Sequence, residues 1–312
     1  MKITVLGAGI SGLATAYILK RSGHDVSILA KEFSPNITSN KAAAFWFPYH
    51  IRNDKRGIEW CRKSYVTYNS FITDIASGVS LKRIIKGVKN NVAEDNSWIE
   101  YMPEDSCRLV PNSNLPFGYN KAYEAEVPLI ETQIFLPWLM EQIEKIGVKI
   151  KQQSIKSFEE VTDADYIINC CGLGSKDLTD DNELFAVRGQ VALLAPKEIS
   201  YIFLDNDKPL YIVPRKDAII VGGTYEENVY EEKTQEETLK ILIKNVIEIN
   251  PELASQPLIG SWAGLRPFRK NVRLEKEGNI IHNYGHGGSG YTLAWGCAES
   301  VNEIINLSNT EK

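Results

Sequence analysis

Histidine and methionine are scarce in this 312-residue chain, at four and three residues. The five cysteines (Cys61, Cys107, Cys170, Cys171 and Cys297) are odd in number, scattered and without a CxxC pair, so neither a disulfide framework nor a zinc site is expected. No apolar run approaches the roughly 20 residues that a membrane helix requires. The formal charge of -5 comes without a dense basic cluster; Lys82, Arg83, Lys86 and Lys89 read as one solvated patch. That balance argues against a nucleic-acid surface. The first residues run straight into an apolar strand without a charged leader and apolar core segment, and Asn309-Thr310-Glu311-Lys312 carries no peroxisomal or retention tripeptide. A reducing cytoplasm is the expected compartment. What remains is an ordinary globular composition, 43% hydrophobic and 24% charged, in a chain long enough for two domains and a large core.

Its most informative stretch comes first. Ile3-Thr4-Val5-Leu6 breaks into Gly7-Ala8-Gly9-Ile10-Ser11-Gly12, followed by a helical pattern through Arg21, Gly23 as its stop, and Val26-Ser27-Ile28-Leu29 as a second strand. A bare GxGxxG is weak, but here it follows a strand and opens a helix, the context that a dinucleotide-binding unit requires. Gly7 permits the tight turn, Gly9 a close approach of backbone to pyrophosphate, and Gly12 close packing of helix on strand, with the helix N-terminus facing the anion. The motif does not separate nicotinamide from flavin. The ribose-binding acid of such units ends the second strand, where strict alignment places Ala30 and then Lys31 and Glu32; Glu32 fits with a slipped register.

The organisation along the chain is discontinuous. Between Pro128 and Ser175 a second nucleotide-domain segment is expected: a helix starting near Pro137 with Leu136, Leu139, Met140, Ile143 and Ile146 at helical spacing, then strands at Val148 and Ile150, Ser154 to Phe158, and Tyr166 to Cys171. The last ends in Gly172-Leu173-Gly174, which lets a ligand pass close to backbone. Residues 51–127, rich in Tyr, Asn and charge and without parallel-sheet runs, look inserted. From Gly189 antiparallel strands are expected at Val191 to Leu194, Leu210 to Val213 and Ala218 to Gly222. Thr234-Gln235-Glu236-Glu237 then reads as a capping box for a helix with Leu239, Leu242, Ile243 and Val246 inward. The expectation is an α/β protein: a Rossmann-like nucleotide-binding domain of residues 1–50, 128–185 and 260–312, and a mixed antiparallel α+β substrate domain of residues 51–127 and 186–259.

Near the C-terminus, Ile280-Ile281-His282-Asn283-Tyr284-Gly285-His286-Gly287-Gly288-Ser289-Gly290-Tyr291-Thr292 sets four glycines between a strand and a helix, a second place where backbone can lie against a flat or anionic ligand. His282 and His286 lack a neighbouring carboxylate in sequence, so hydrogen bonding accounts for them better than a metal does.

These segments, with Thr38-Ser39-Asn40-Lys41-Ala42-Ala43-Ala44-Phe45-Trp46-Phe47-Pro48-Tyr49, Arg188-Gly189-Gln190, Tyr211-Ile212-Val213-Pro214, Gly222-Gly223-Thr224-Tyr225 and Gly264-Leu265-Arg266-Pro267, span essentially the whole chain. The chain resembles the D-amino-acid oxidase family. The resemblance implies FAD, and oxidative deamination of a D-amino acid to an imino acid with dioxygen as the acceptor and hydrogen peroxide as the product. It implies Arg266 as the carboxylate anchor, suited by a guanidinium's two parallel hydrogen bonds. It further implies Tyr211 sharing the carboxylate, Tyr225 as a second active-site tyrosine and the Gly288 backbone accepting from the amine. For the cofactor it implies Gly7, Ala8, Gly9, Ile10, Ser11, Gly12, Lys31 and Glu32 around the nucleotide, Thr38 and Ser39 at the pyrophosphate, and Ala43, Ala44 and Phe45 facing the flavin. Ile155 would pack by the adenine, with Gly172 and Gly174 lining the cofactor, and Gly287, Gly288, Ser289, Gly290, Tyr291 and Thr292 would lie at the pyrimidine edge.

Departures from that family shape the substrate expectation. Ile199 to Leu210, which covers the site as a lid in mammalian members of that family, is short here and supplies no tyrosine at the lid tyrosine's position, where Asp207 is the nearest residue. Ala44 replaces a usual glycine and Phe47 a usual polar residue, which makes the pocket wall apolar, and Glu226-Glu227 disfavours a second carboxylate. A neutral, or else basic, D-amino acid is therefore expected. Rival functions are a glycine or secondary-amine oxidase, a D-aspartate oxidase, a flavin dehydrogenase with a non-oxygen acceptor and a non-catalytic nucleotide-binding protein. Oligomeric state is left open, a homo-oligomer included.

Overall fold

The computed structural model describes residues 1–49, 51, 55–90, 93–116 and 118–310. It opens with β1 (Lys2–Leu6), α1 (Ile10–Arg21) and β2 (Asp25–Ala30), the unit the glycine motif predicts. Four of the five residues of β1 are buried, because parallel strands are covered on both faces. Next come α2 (Lys55–Phe71), β3 (Val79–Val88), β4 (Arg108–Leu109) and β5 (Lys121–Ile130). The chain then returns through α3 (Thr132–Lys145), β6 (Lys149–Gln152), β7 (Tyr166–Asn169) and the short α4 (Ser175–Thr179). β8 (Phe185–Leu194), β9 (Tyr201–Asp205), β10 (Tyr211–Pro214), β11 (Ile219–Gly222) and β12 (Glu226–Glu227) lead into α5 (Glu236–Ile249). β13 (Leu258–Glu277), β14 (Ile280–His286) and α6 (Gly290–Thr310) complete the chain.

Among the described residues the strands form one sheet in the order β4-β5-β3-β9-β10-β11-β8-β13-β14-β7-β1-β2-β6, with β12 added on β8. From β14 to β6 every pairing is parallel. The other end is antiparallel, except that β3 runs parallel to β9. β13 links the two styles: Leu258 to Phe268 pairs with β8, and after a register shift Arg273 to Glu277 pairs with β14.

α1, α2, α3 and α6 cover the parallel end through an aromatic cluster. Trp295 meets Tyr17 at 5.7 Å and Phe71 at 5.3 Å between ring centroids, and Tyr68 meets Phe135 at 5.6 Å. α2 and α6 cross backbone against backbone, since a Cβ at Gly296 would lie 2.2 Å from the Trp60 Cα. At the antiparallel end, α5 packs Leu239, Leu242, Val246 and Ile249 on Ala192, Phe203, Ile212, Ile219 and Val221. Side chains alternate along strands, so the residues between these face away from α5 and roof a cavity.

Several local expectations are corrected. α3 begins at Thr132 and holds Pro137 in its interior, because the Glu131 carbonyl accepts from the N–H groups of Ile134 and Phe135 at 2.9 and 2.8 Å and so secures the turn before the proline. Ile146 lies just past its end and is 36% exposed. Residues 154–157 form no strand; Ser157 and Glu160 close a capping box around a single turn at Phe158–Glu160. The box expected at Thr234 does not form, since the Thr234 hydroxyl meets Ser261 at 3.0 Å while the Gln235 N–H donates to the Gln190 side chain at 2.7 Å. The basic patch is not uniformly solvated: Lys86 is only 8% exposed. The short segment before Leu210 is a strand and a tight turn, with Asn206, Asp207 and Pro209 at the cavity wall.

Candidate functional site

A single cavity of about 1370 Å³ runs from the N-terminus of α1, past β2, to Arg266 and the strands under α5. At its first end backbone meets backbone. Gly7 has φ +102°, and a Cβ there would lie 2.5 Å from the Cys170 carbonyl oxygen; a Cβ at Gly12 would lie 2.0 Å from the Gly7 carbonyl oxygen. Gly9 caps α1 without a side chain, and the Ser39 hydroxyl accepts from the Ile10 N–H at 3.1 Å. The start of that first turn, Gly9, Ile10 and Ser11, thus lines a space shared with the Ser39 hydroxyl, where a helix N-terminus favours an anion. Lys31 and Glu32 follow the end of β2 on the cavity wall, with Ile155 also on the wall. The Gln153 N–H donates to the Ala30 carbonyl at 2.8 Å, which brings the Ile155 segment beside β2.

The second glycine turn lies across β7 from the first. The Ser289 hydroxyl donates to the Tyr49 carbonyl at 2.5 Å, and the Thr292 hydroxyl donates to the Phe47 carbonyl at 2.8 Å. The Tyr291 hydroxyl donates to the Ser39 carbonyl at 3.0 Å. The start of α6 therefore pins both the Thr38–Lys41 turn and the Phe47 to Tyr49 segment. Between them Ala44 adopts φ +54°, and the buried Arg215 donates to the Ala42 carbonyl at 3.3 Å from behind. His286, held at 3.1 Å from the Asn283 side chain, is pushed down to about 4 by burial and is neutral. His282 does have a carboxylate near it, Glu277 at 3.2 Å, a neighbour that the sequence order conceals. Among the described residues no group of three or more His, Cys, Asp or Glu could hold a metal ion.

At the far end, Arg266 extends from β13. A Cβ at Gly189 would lie 2.2 Å from its guanidinium, so this glycine lets the group lie across β8. One Arg266 N–H donates to the Thr224 carbonyl at 3.1 Å. The Tyr211 ring lies on bare backbone in the same way, 2.2 Å from where a Cβ of Gly222 would stand. Burial raises the Tyr211 pKa, against the charge of Arg266 and a hydrogen bond with it. Tyr49 is pushed up to about 12 by burial, against the Arg266 charge, and the Tyr211 and Tyr225 phenols face it. Three tyrosines thus converge on one guanidinium.

Gly7, Ala8, Gly9, Ile10, Ser11, Lys31, Glu32, Thr38, Ser39, Ala43, Ala44, Phe45, Ile155, Gly172, Gly174, Gly287, Gly288, Gly290, Tyr291, Thr292, Tyr211, Tyr225 and Arg266 all line the cavity. Gly12 and Ser289 stand outside its lining, the first pressed on the Gly7 carbonyl and the second tied to Tyr49. Glu226 is turned away and held by Arg188, Gln190 and Thr224, and Glu227 is the one of the pair that reaches the cavity. The charge argument from Glu226-Glu227 therefore rests on Glu227 alone.

The family described as FAD dependent oxidoreductase matches residues 2–304. A D-amino-acid oxidase of Dictyostelium discoideum is 32% identical over 98% of this chain and 92% of its own length, and one of Rubrobacter xylanophilus is 31% identical over 96% and 94%. The chain belongs to the FAD-dependent oxidoreductase family. Among solved structures, glycine oxidase of Bacillus cereus superposes with a TM-score of 0.83 at 16% identity, over 98% of this chain and 95% of that one. L-proline dehydrogenase of P. horikoshii gives 0.82 at 14% identity, over 98% and 93%. At such identities the likeness is one of fold. FAD fits the cavity, because the glycine cradle at α1 admits backbone approach to a pyrophosphate and the second helix N-terminus faces the same space.

Two of the residues that sequence reasoning missed in this FAD-dependent oxidoreductase, Tyr49 and Lys86, line the cavity at its Arg266 end. Nothing local in the Trp46-Phe47-Pro48-Tyr49 run marks Tyr49; its place beside Arg266 comes from the Ser289 bond across 240 residues. Arg215 sits in a turn whose sequence predicts only a hairpin. Lys86 carries no such signal either: Ile84 to Val88 are all buried, so β3 has no alternation that would mark the lysine as facing a cavity. Among the described residues no helix is long and apolar enough to cross a membrane.

Proposed function

We propose that this protein oxidises D-amino acids at the α carbon to imino acids, which hydrolyse to keto acids and ammonia, with dioxygen as the electron acceptor and hydrogen peroxide as the product. The observation that carries this is the gathering of Arg266, Tyr49, Tyr211 and Tyr225 at one end of a cavity whose other end is a dinucleotide cradle. When bound, FAD supplies the two-electron acceptor. Residues 1–50, 128–185 and 260–312 form its domain in this reading, since they contribute all the parallel strands from β14 to β6. Residues 51–127 and 186–259 form the substrate domain.

Arg266 holds the substrate carboxylate by two parallel hydrogen bonds, which fixes the α carbon. Tyr211 and Tyr49 keep their protons at neutral pH because burial raises both; they donate to the carboxylate and do not serve as bases. The Gly288 carbonyl accepts from the amine, and the second carboxylate-sharing wall is closed by Tyr225. The lone pair of a neutral amine forms the C=N bond to the α carbon as the hydride departs, so the protein's tasks are positioning and exclusion of water. The glycine strips under Arg266 and Tyr211 serve the positioning: they press both groups flat on the sheet and leave few rotamers. The apolar Phe47, 6% exposed, lines the same cavity and favours a neutral side chain.

The test is peroxide release from a panel of D-amino acids, with glycine, sarcosine and L-amino acids as controls. Peroxide from neutral D-amino acids in preference to the controls is expected. Preference for glycine or sarcosine moves the protein to a secondary-amine oxidase, and flavin reduction without peroxide in air moves it to a dehydrogenase.

A further inference from the structure

Lys86 is a lysine that the fold takes out of solvent and places on the substrate wall. In sheet register it stands beside Leu204 of β9, Leu204 beside Tyr211 of β10, and Tyr211 beside Gly222 of β11. Residues in register share a face, and this face roofs the cavity, because Ile85 and Phe203, one position along, pack in the core under α5. Lys86, Leu204 and Tyr211 all line the cavity. Two strand spacings put Lys86 about 10 Å from Tyr211 between backbones, a gap that an amino acid side chain anchored at its carboxylate and the lysine's own stem can close.

The Lys86 ammonium donates to the Asp95 carbonyl at 3.0 Å and lies 5.0 Å from the Trp98 ring centroid. Trp98 in turn packs on Phe47 with centroids 5.2 Å apart. An ammonium carries three donors, and Asp95 takes one. Burial draws the Lys86 pKa down to about 8, with Asp95 and Glu94 as the opposing charges, so the group is mostly cationic at neutral pH.

We propose that Lys86, Trp98 and Phe47 form the subsite for the substrate side chain and select a neutral side chain ending in an oxygen acceptor, such as a carboxamide. This rests on the amino-acid oxidase reading above. The two rings pack on the methylenes, and the ammonium donates to the terminal oxygen. A cationic side chain is repelled. A second carboxylate gains less than it would at an isolated lysine, because Asp95 and Glu94 already balance that charge and Asp205 lines the same cavity.

The experiment compares kcat/KM for D-glutamine, D-norleucine, D-glutamate and D-lysine in the FAD-loaded wild type and the Lys86→Met and Lys86→Arg variants. In wild type D-glutamine exceeds D-norleucine, D-glutamate and D-lysine. Lys86→Met lowers the glutamine-to-norleucine ratio by about 10- to 100-fold, the range for a hydrogen bond to a charged group, and raises the lysine-to-norleucine ratio; Lys86→Arg keeps the wild-type order. An unchanged ratio in Lys86→Met overturns the proposal, as does a wild type that prefers D-lysine, D-norleucine or D-glutamate to D-glutamine. The wild-type order decides the matter if Lys86→Met fails to hold flavin. Oxidation of none of the four, or of any other D-amino acid, brings down the oxidase reading, whereas oxidation without the stated order brings down only the Lys86 subsite.

Discussion

The two strand–glycine–helix turns of this protein look alike in sequence and differ in what their glycines touch. At the β1 turn a Cβ on Gly7 or Gly12 would meet backbone, the Cys170 and Gly7 carbonyls at 2.5 and 2.0 Å. At the β14 turn the obstacles are side chains: Arg269 Cβ at 2.8 Å from Gly285, Phe268 Cδ2 at 3.1 Å from Gly287, and Tyr49 Cδ1 at 2.8 Å from Gly288. Backbone cannot move aside, nor can the Arg269 Cβ fixed to it, while the Phe268 and Tyr49 rings can. The first turn is thus a rigid cradle and the second an adjustable joint, whose hydroxyls tie the Phe47 to Tyr49 wall to the start of α6.

The sharpest way to break that comparison is to add one methyl group to each turn. Gly12→Ala drives a Cβ into the Gly7 carbonyl and is expected to abolish FAD retention. Gly290→Ala meets only the Ile10 Cγ2 at 3.8 Å and is expected to keep the flavin. The flavin-to-protein ratio of the two purified variants checks this, and comparable loss in both would remove the distinction.

The next effect in size lies at the other end of the cavity. Arg266→Ala is expected to keep FAD and to lower kcat/KM roughly 30-fold to several thousandfold, the cost of losing a buried bidentate charge pair. Arg266→Lys should be nearly as poor, because an ammonium keeps the charge without the two-point hold. Steady-state kinetics on flavin-normalised samples decide it, and near-normal turnover in Arg266→Ala would place the carboxylate anchor elsewhere. Tyr211→Phe removes one hydrogen bond of about 0.5 to 1.5 kcal/mol and should lower kcat/KM about 2- to 10-fold; a loss as large as that of Arg266→Ala would mean that the phenol does more than share the carboxylate.

What was legible in the sequence follows the same division. The nucleotide unit could be read because its glycines, strand and helix lie within thirty consecutive residues and each obeys a local rule. Arg266, Tyr211 and Tyr225 could be named only through family likeness, since nothing local marks them; their meeting depends on the register of β13 on β8 and of β10 on β11. Tyr49, Arg215 and Lys86 escaped for that reason. The errors were also local rules overridden by tertiary partners: Thr234 turned to Ser261, and Glu226 turned inward to Arg188.

The smallest expected effect concerns Ala44, held at φ +54° between the two turns. An L-residue there costs about 1 to 2 kcal/mol, partly offset by the extra chain freedom glycine brings to the unfolded state. Ala44→Gly should therefore raise unfolding stability by about 0.5 to 1 kcal/mol, measurable by denaturant titration of the FAD-loaded protein. A loss of stability would mean that the buried methyl contributes more packing than the conformation costs.

The central claim, that the cavity joins an FAD cradle to a site for one enantiomer of an amino acid, is tested most directly by anaerobic reduction of the bound flavin. The purified protein is mixed without oxygen with D-glutamine and, separately, with L-glutamine, while the visible flavin absorption is followed. The account predicts rapid bleaching by the D enantiomer only, with peroxide and restored colour when air is admitted; a flavin left oxidised by D-glutamine and by every other D-amino acid, or bleached as fast by the L enantiomer, would contradict it.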